Sequence, residues 1–198
     1  VKKIIIDGNK RVNSDTIKIF GGLSINQDLN SNDLNNILKK LYETNFFESV
    51  NLSLNNSILR INVIENAIVQ NLVINGVEND NLKKKLSETI TLKEKNPYIE
   101  NKIKNDLKNI RNFLQEVGYY FSSVEILKKN NPNNTIDLIY EINLGNKAFI
   151  EEIVFLGDKK FKKRKLLNII TSEENKFWKF ISSKKLLNKQ RIDLDKRL

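Results

Sequence analysis

Three short apolar runs in this chain end in glycine: KIIIDG (Lys3–Gly8), NLVING (Asn71–Gly76) and EIVFLG (Glu152–Gly157). A β-rich run stopped by glycine predicts a strand and then a turn. The glycines stand 68 and 81 residues apart, so the chain repeats itself. Helical spacing follows the first two runs. Asn13-Ser14-Asp15 is an N-cap signal ahead of a short helix that Gly21-Gly22 stops. A second helix is predicted from Ser31-Asn32-Asp33, with Leu34, Ile37, Leu38 and Leu41 on one face. In the second repeat the short helix lies around Leu82–Glu88. The long one is predicted to start at Asn96-Pro97, a favoured first-turn place for proline. Its stripe of Ile99, Ile103, Leu107, Ile110, Leu114 and Val117 keeps close to the helical period.

After each long helix the period changes to two. Counting back from Asn45 gives Leu41, Ile37 and Leu34; counting back from Gly118 by the same offsets gives Leu114, Ile110 and Leu107. Glycine, then asparagine, is favoured in the left-handed position just past a helix. NFFESV and GYYFSSV therefore read as one feature: a helix cap, aromatics, then a strand. At least one of Phe46 and Phe47 is expected to face inward, as Tyr119 to Phe121 would in the second repeat. Val50, Leu52 and Leu54 alternate with polar residues up to a turn at Asn55-Asn56-Ser57, and Leu59, Ile61 and Val63 alternate after it. Val124 and Ile126, a turn at Asn130–Asn134, and Ile136, Leu138, Tyr140 and Ile142 repeat the pattern. These are half-buried antiparallel hairpins. Each unit is thus β-α-α-β-β and the fold class is α+β: a three-stranded mixed sheet covered on one face by two antiparallel helices. The predicted domains are 1–66, 67–148 and 149–198. Asp195 aligns with Asp106, which puts the third seam beyond Leu198, so the third domain is expected to be incomplete, ending within its second helix, and poorly formed. Because the chain starts inside a strand, it is expected to be a mature protein or a fragment.

Composition narrows the chemistry. There is no Cys and no His among 198 residues, which removes thiol catalysis, Cys/His zinc sites and histidine acid–base chemistry. No P-loop or nucleophile-elbow motif is present. Glu151-Glu152 face opposite sides of a predicted strand, Glu173-Glu174 fall in a loop, and Gly21-Gly22 read as a helix stop. No enzyme and no cofactor is read from the chain. No apolar run approaches the roughly 18 residues of a membrane-spanning helix. The net charge of +10 is uneven: residues 150–198 carry 14 basic and 7 acidic side chains. Such a surface can serve nucleic acid, an anionic membrane or an acidic protein, or be a solvated face.

The three strand-to-glycine starts, LYETNFFESVNLSL, FLQEVGYYFSSVEI and the linkerless junction LIYEINLGNKAFIEEIVFLG together resemble the POTRA domains of outer-membrane β-barrel assembly factors. NKFWKF and KQRIDLDKRL are similar to a third unit of that family, including an aromatic loop before its second helix. Asn45 stands where the family usually has glycine, and Leu144 where an acidic residue commonly precedes one. The resemblance implies a periplasmic array at the outer membrane, joined to the membrane only through a β-barrel absent from this chain. The implied partners are unfolded outer-membrane proteins, accessory lipoproteins of the assembly complex and a periplasmic chaperone, with no nucleic acid.

If the second strand of each unit is a sheet edge, its unpaired backbone groups can accept another strand. The candidate client-binding edges are Ser49, Val50, Asn51, Leu52, Ser53 and Leu54, and Ser123, Val124, Glu125, Ile126, Leu127 and Lys128. The contrary reading is that these edges are blunted and unused, which Lys128 and Lys129 favour. Phe177, Trp178 and Phe180 form a candidate partner loop; they either anchor a partner or fold back over the core. The alternative function is an RNA-binding array of small α/β modules using the basic C-terminal region. It lacks the spaced glycines or the aromatic sheet face that known modules use.

Overall fold

In the first 66 residues local signals set the helix caps and the hairpin turn. The computed structural model describes residues 1–157, 160–178 and 182–198. Strand β1 (Lys3–Asp7) leads to helix α1 (Ser14–Gly21), whose N-cap Asn13 accepts from the Thr16 N–H. Helix α2 (Ser31–Glu43) opens on a capping box in which Asn30 and Asp33 satisfy each other's backbone. Asn45 takes the left-handed conformation (φ 60°) that Gly118 takes in the second repeat (φ 98°). Strands β2 (Phe47–Asn55) and β3 (Ile58–Glu65) join through Asn56 and Ser57, both at positive φ as a two-residue hairpin turn requires.

The sheet order is β1-β3-β2, so the last strand is central. Strand β1 pairs with it in parallel, Lys3↔Ile58 to Asp7↔Asn62. Strand β2 pairs antiparallel, regular from Ser49↔Ile64 to Asn55↔Ile58, after a bulge between Phe47 and Ser49. Ile17, Ile37, Leu41, Phe47, Val50 and Ile61 lie in the core between helices and sheet. Phe47 is the inward aromatic; Phe46 instead stacks on Phe20, 5.7 Å between ring centroids.

Strand β4 (Ile68–Asn75), helix α3 (Asp80–Thr89), helix α4 (Glu100–Glu116), strand β5 (Ser123–Asn131) and strand β6 (Thr135–Asn143) repeat the order, and the second sheet runs β4-β6-β5. Helix α4 starts later than the proline signal predicts. Pro97 is held extended in an antiparallel bridge to Ile68, and the Tyr98 N–H donates to the Ala67 carbonyl, so winding begins at Glu100. The aromatics after Gly118 also differ from expectation. Phe121 is exposed and packs edge-on against the half-buried Tyr120, so none of the three is buried as Phe47 is.

The chain divides into two compact units. One comprises Val1–Asn71, Lys93–Glu100 and Lys129–Asp137; the other comprises Leu72–Leu92, Asn101–Lys128 and Leu138–Leu198. Within the first, the Asn134 side chain donates to the Glu65 carbonyl and the Lys95 backbone N–H to the Val69 carbonyl, which attaches these later segments to residues 65–69. Glu65 itself is a clamp. Its Oε1 accepts the N–H groups of Lys10 (2.7 Å), Arg11 (2.9 Å) and Val12 (3.0 Å), and its Oε2 accepts from Arg11 Nε (3.1 Å). Burial pushes this carboxyl up, but the hydrogen bonds from Val12, Lys10 and Arg11 outweigh it and hold the group below its ordinary 4.5.

In the second unit a different carboxylate does the bracing. Asp106, fully buried on α4, accepts the Thr91 N–H (2.8 Å) and hydroxyl (2.7 Å), the Leu92 N–H (3.0 Å) and the Tyr140 hydroxyl (3.4 Å). The device recurs further along. Beyond helix α5 (Lys163–Leu167), Asp195 on helix α6 (Lys189–Asp195) accepts the Thr171 N–H (2.7 Å) and hydroxyl (2.7 Å) and the Ser172 N–H (3.0 Å). The carboxylate clamp of the second unit is therefore repeated between α6 and the segment after α5. The strand expected at Glu152–Gly157 is not formed: residues 152–157 are without regular structure. In both complete sheets the first strand bonds only to the last, and among the described residues of 149–198 none forms a strand of a third sheet. An apolar groove of about 830 Å³, lined by Ile153, Phe155, Leu166, Ile170 and Ile192, with Asp195 and Ser172 at its polar side, is left beside the two helices.

The glycines record the same constraint. A Cβ on Gly8 (φ 87°) would sit 2.1 Å from the Val63 carbonyl oxygen, and one on Gly76 (φ 79°) 1.8 Å from that of Ile142, whereas one on Gly157 would meet nothing within 4 Å among the described residues. Gly76→Ala should therefore destabilise the chain by about 3 kcal/mol in chemical denaturation, through positive φ and a backbone clash, while Gly157→Ala should leave out the clash and cost less. Glu65→Gln should destabilise by about 2 kcal/mol at neutral pH. A carboxyl whose folded pKa is lowered contributes its stability above the unfolded value, so the gap between wild type and variant should close as the pH falls below 4.5 in thermal melts.

Candidate functional site

A strand at a sheet edge has one row of N–H and C=O groups bonded inward and one row facing out. Strand β2 is an edge of the first sheet and β5 an edge of the second. Each is nine residues long, against five for β1.

On β2, the Val50 N–H donates to the hydroxyl of Tyr42 on α2 at 3.1 Å. Val50 therefore points its backbone away from β3, and by the alternation of an antiparallel strand Leu52 and Leu54 do the same. Ser49, Asn51 and Ser53 direct theirs to β3. The side chains of Val50, Leu52 and Leu54 turn toward the core, with Leu52 and Leu54 only partly covered; those of Asn51 and Ser53 are exposed. The edge thus presents main-chain groups bordered by a shallow apolar margin. Glu48 is its one charge, sitting in the bulge, and no lysine guards it.

On β5, Arg111 of α4 donates to the Val124 carbonyl at 3.5 Å. Val124 is thus the outward-facing residue here, and Ile126 and Lys128 follow it by the same alternation. Val124 is buried, Ile126 is partly buried, and Ser123, Glu125, Leu127 and Lys128 are exposed. Lys128 and Lys129 fall in the second half of the strand, the placement that discourages edge pairing. In both sheets the long helix thus reaches an outward backbone group near the start of the edge, the Val50 N–H in one and the Val124 carbonyl in the other. Tyr42 and Arg111 were not singled out from the sequence. A helix residue that reaches an edge strand leaves no periodic signal, because its partner lies eight or thirteen residues away.

The outward faces of the sheets carry Asn51, Ser53, Arg60, Asn62, Asn71, Asn75 and Asp137, with no aromatic ring among the described residues. Tyr140 points inward and is fully buried.

Phe177 and Trp178 are exposed, 81% and 59%. Phe180 lies outside the described residues.

Residues 67–145 match the family model described as POTRA, surface antigen variable number repeat. The chain is similar to the outer membrane protein assembly factor BamA of Neorickettsia risticii, 24% identical over 199 residues, covering 100% of this chain and 27% of that protein. It is similar also to BamA of Buchnera aphidicola, 26% identical over 178 residues, covering 86% of this chain and 28% of that protein. The chain thus spans about a quarter of the length of these curated relatives. Among solved structures, POTRA3-5 of Haemophilus influenzae BamA superposes with a TM-score of 0.49 at 15% identity, covering 100% of this chain and 83% of that one.

Replacing Tyr42 by Phe removes the one side-chain partner of the Val50 N–H without disturbing the β2–β3 ladder. The expected result is a loss of about 1 kcal/mol or less in stability and faster amide exchange at Val50, with Ser49 and Asn51 unchanged.

Proposed function

We infer that this chain, whose residues 67–145 are a POTRA domain, is the periplasmic receptor and scaffold region of an outer-membrane β-barrel assembly factor. Its role is to bind unfolded outer-membrane protein precursors by adding their strands to its sheet edges. Accessory lipoproteins of the assembly complex and a periplasmic chaperone are the further partners, and the periplasmic face of the outer membrane is its place. The observation that carries this reading is the pair of long, backbone-exposing edge strands, β2 and β5, in two successive units of one fold.

The chemistry suits such clients. Strand addition takes its affinity from main-chain hydrogen bonds, which any extended segment supplies, and only loose selectivity from side-chain positions. Barrel precursors are rich in alternating strands, so every client can offer an apolar row to the margin formed by Leu52 and Leu54. Strand β2, free of lysine, is the stronger site; β5 is narrowed by Lys128 and Lys129 to its first half, Ser123 to Ile126.

Photoreactive residues at Asn51 and Glu125 should cross-link to an unfolded outer-membrane protein fragment, with more adduct at Asn51. Arg60, exposed on the central strand β3, is the control. Adducts at all three positions in equal yield would sink strand addition as the mode of capture.

A further inference from the structure

Tyr42 stands in the lane that an added strand would take beside β2. It lies in the last turn of α2, where the Asn45 N–H donates to its carbonyl (3.0 Å) and Asn45, at φ 60°, turns the chain back toward the sheet. The residue after β3 pins that turn: the Asn66 N–H donates to the Phe46 carbonyl (2.8 Å) and the Asn66 side chain to the Asn45 carbonyl (2.9 Å). On the helix side, the neighbouring Leu41 is fully buried. The backbone that carries Tyr42 is thus held from both directions. Its hydroxyl oxygen accepts the Val50 N–H at 3.1 Å. In a sheet ladder a carbonyl oxygen accepts such an N–H at about 2.9 Å, so the Tyr42 oxygen takes the place of a client's carbonyl. The ring is bonded directly to that oxygen, and no strand can pass Val50 at ladder distance while Tyr42 keeps its position.

We propose that Tyr42 is a positioning residue that stops a client strand at Leu52 and so limits how much of the client β2 can hold. This rests on strand addition at β2 as the mode of capture. The ring bars the lane, and the hydroxyl supplies the acceptor that the Val50 N–H would lack once the lane is barred. The open ladder is then that of Leu52 and Leu54, between the stop and the turn at Asn56 and Ser57. A strand of an outer-membrane barrel runs to about ten residues, more than this ladder can seat. Such a client is held by one end of its strand, with the rest unpaired, and few main-chain bonds have to break for its release. The second unit has a counterpart of opposite polarity, since Arg111 donates to the Val124 carbonyl at 3.5 Å. That bond is longer, which makes it the weaker stop.

Amide exchange followed by NMR, with an unfolded outer-membrane protein fragment added, reads the stop residue by residue. In the wild type the fragment should slow exchange at Leu52 and Leu54 and leave Val50 unchanged. Tyr42→Phe loses the hydroxyl and keeps the ring. Val50 should then exchange faster in the free protein, and the fragment should still protect only Leu52 and Leu54. Tyr42→Ala clears the lane. The fragment should now protect Val50 as well and bind about fivefold tighter, the gain of about one net hydrogen bond. Circular dichroism should show both variants folded, because Tyr42 is not among the residues of the core. Protection confined to Leu52 and Leu54 in Tyr42→Ala, or protection of Val50 by the fragment in Tyr42→Phe, would overturn the stop and leave strand addition standing. No protection of Leu52 or Leu54 in any of the three proteins would remove strand addition itself, and the stop with it.

Discussion

The central position of the last strand governs this molecule. In each complete sheet the first strand has a single neighbour, and that neighbour is the strand made last. A parallel pair closed over some fifty intervening residues depends on non-local contact, which loop-closure entropy opposes until the hairpin has formed. Gly8 and Gly76 are the local expression of this closure, because the returning carbonyl of Val63 or Ile142 leaves no room for a side chain. Gly157 has positive φ with no described atom within 4 Å of its Cβ position, and residues 152–157 form no strand.

The same topology places the middle strand of each unit on the outside. An exposed edge is normally a hazard, and here it is managed unevenly. A bulge with one acidic residue and a tyrosine cap restrict the start of β2, and an arginine cap and two lysines restrict β5. What these leave on the described edges is the outward backbone of Leu52, Leu54 and Ile126.

Carboxylates hold the connections that the sheets cannot. Glu65 gathers three successive N–H groups of the loop after β1, and Asp106 and Asp195 each gather two at the end of a short helix. In all three cases the carboxylate accepts backbone N–H groups that would otherwise be orphaned. Asp106 sits on the buried face of α4, where apolar periodicity predicts a hydrophobic residue.

Much of this was legible without coordinates. The glycine-terminated runs, the caps at Asn13 and Asn45, the period change after each long helix and the alignment of Asp195 with Asp106 are local, and local signals determine helices, turns and the repeat. The start of α4 was misplaced because Pro97 answers to a bridge with Ile68 rather than to helix propensity. Phe121 and its neighbours were expected inside because Phe47 is, yet a ring's burial depends on the surface it meets. Tyr42 and Arg111 gave no signal, since the backbone group each one caps lies on another element. The sequence by itself determined which segments wind and which alternate. Only the tertiary structure decided which strands pair, which edge stays open and whether an apolar run becomes a strand, because a strand exists only by virtue of its neighbour.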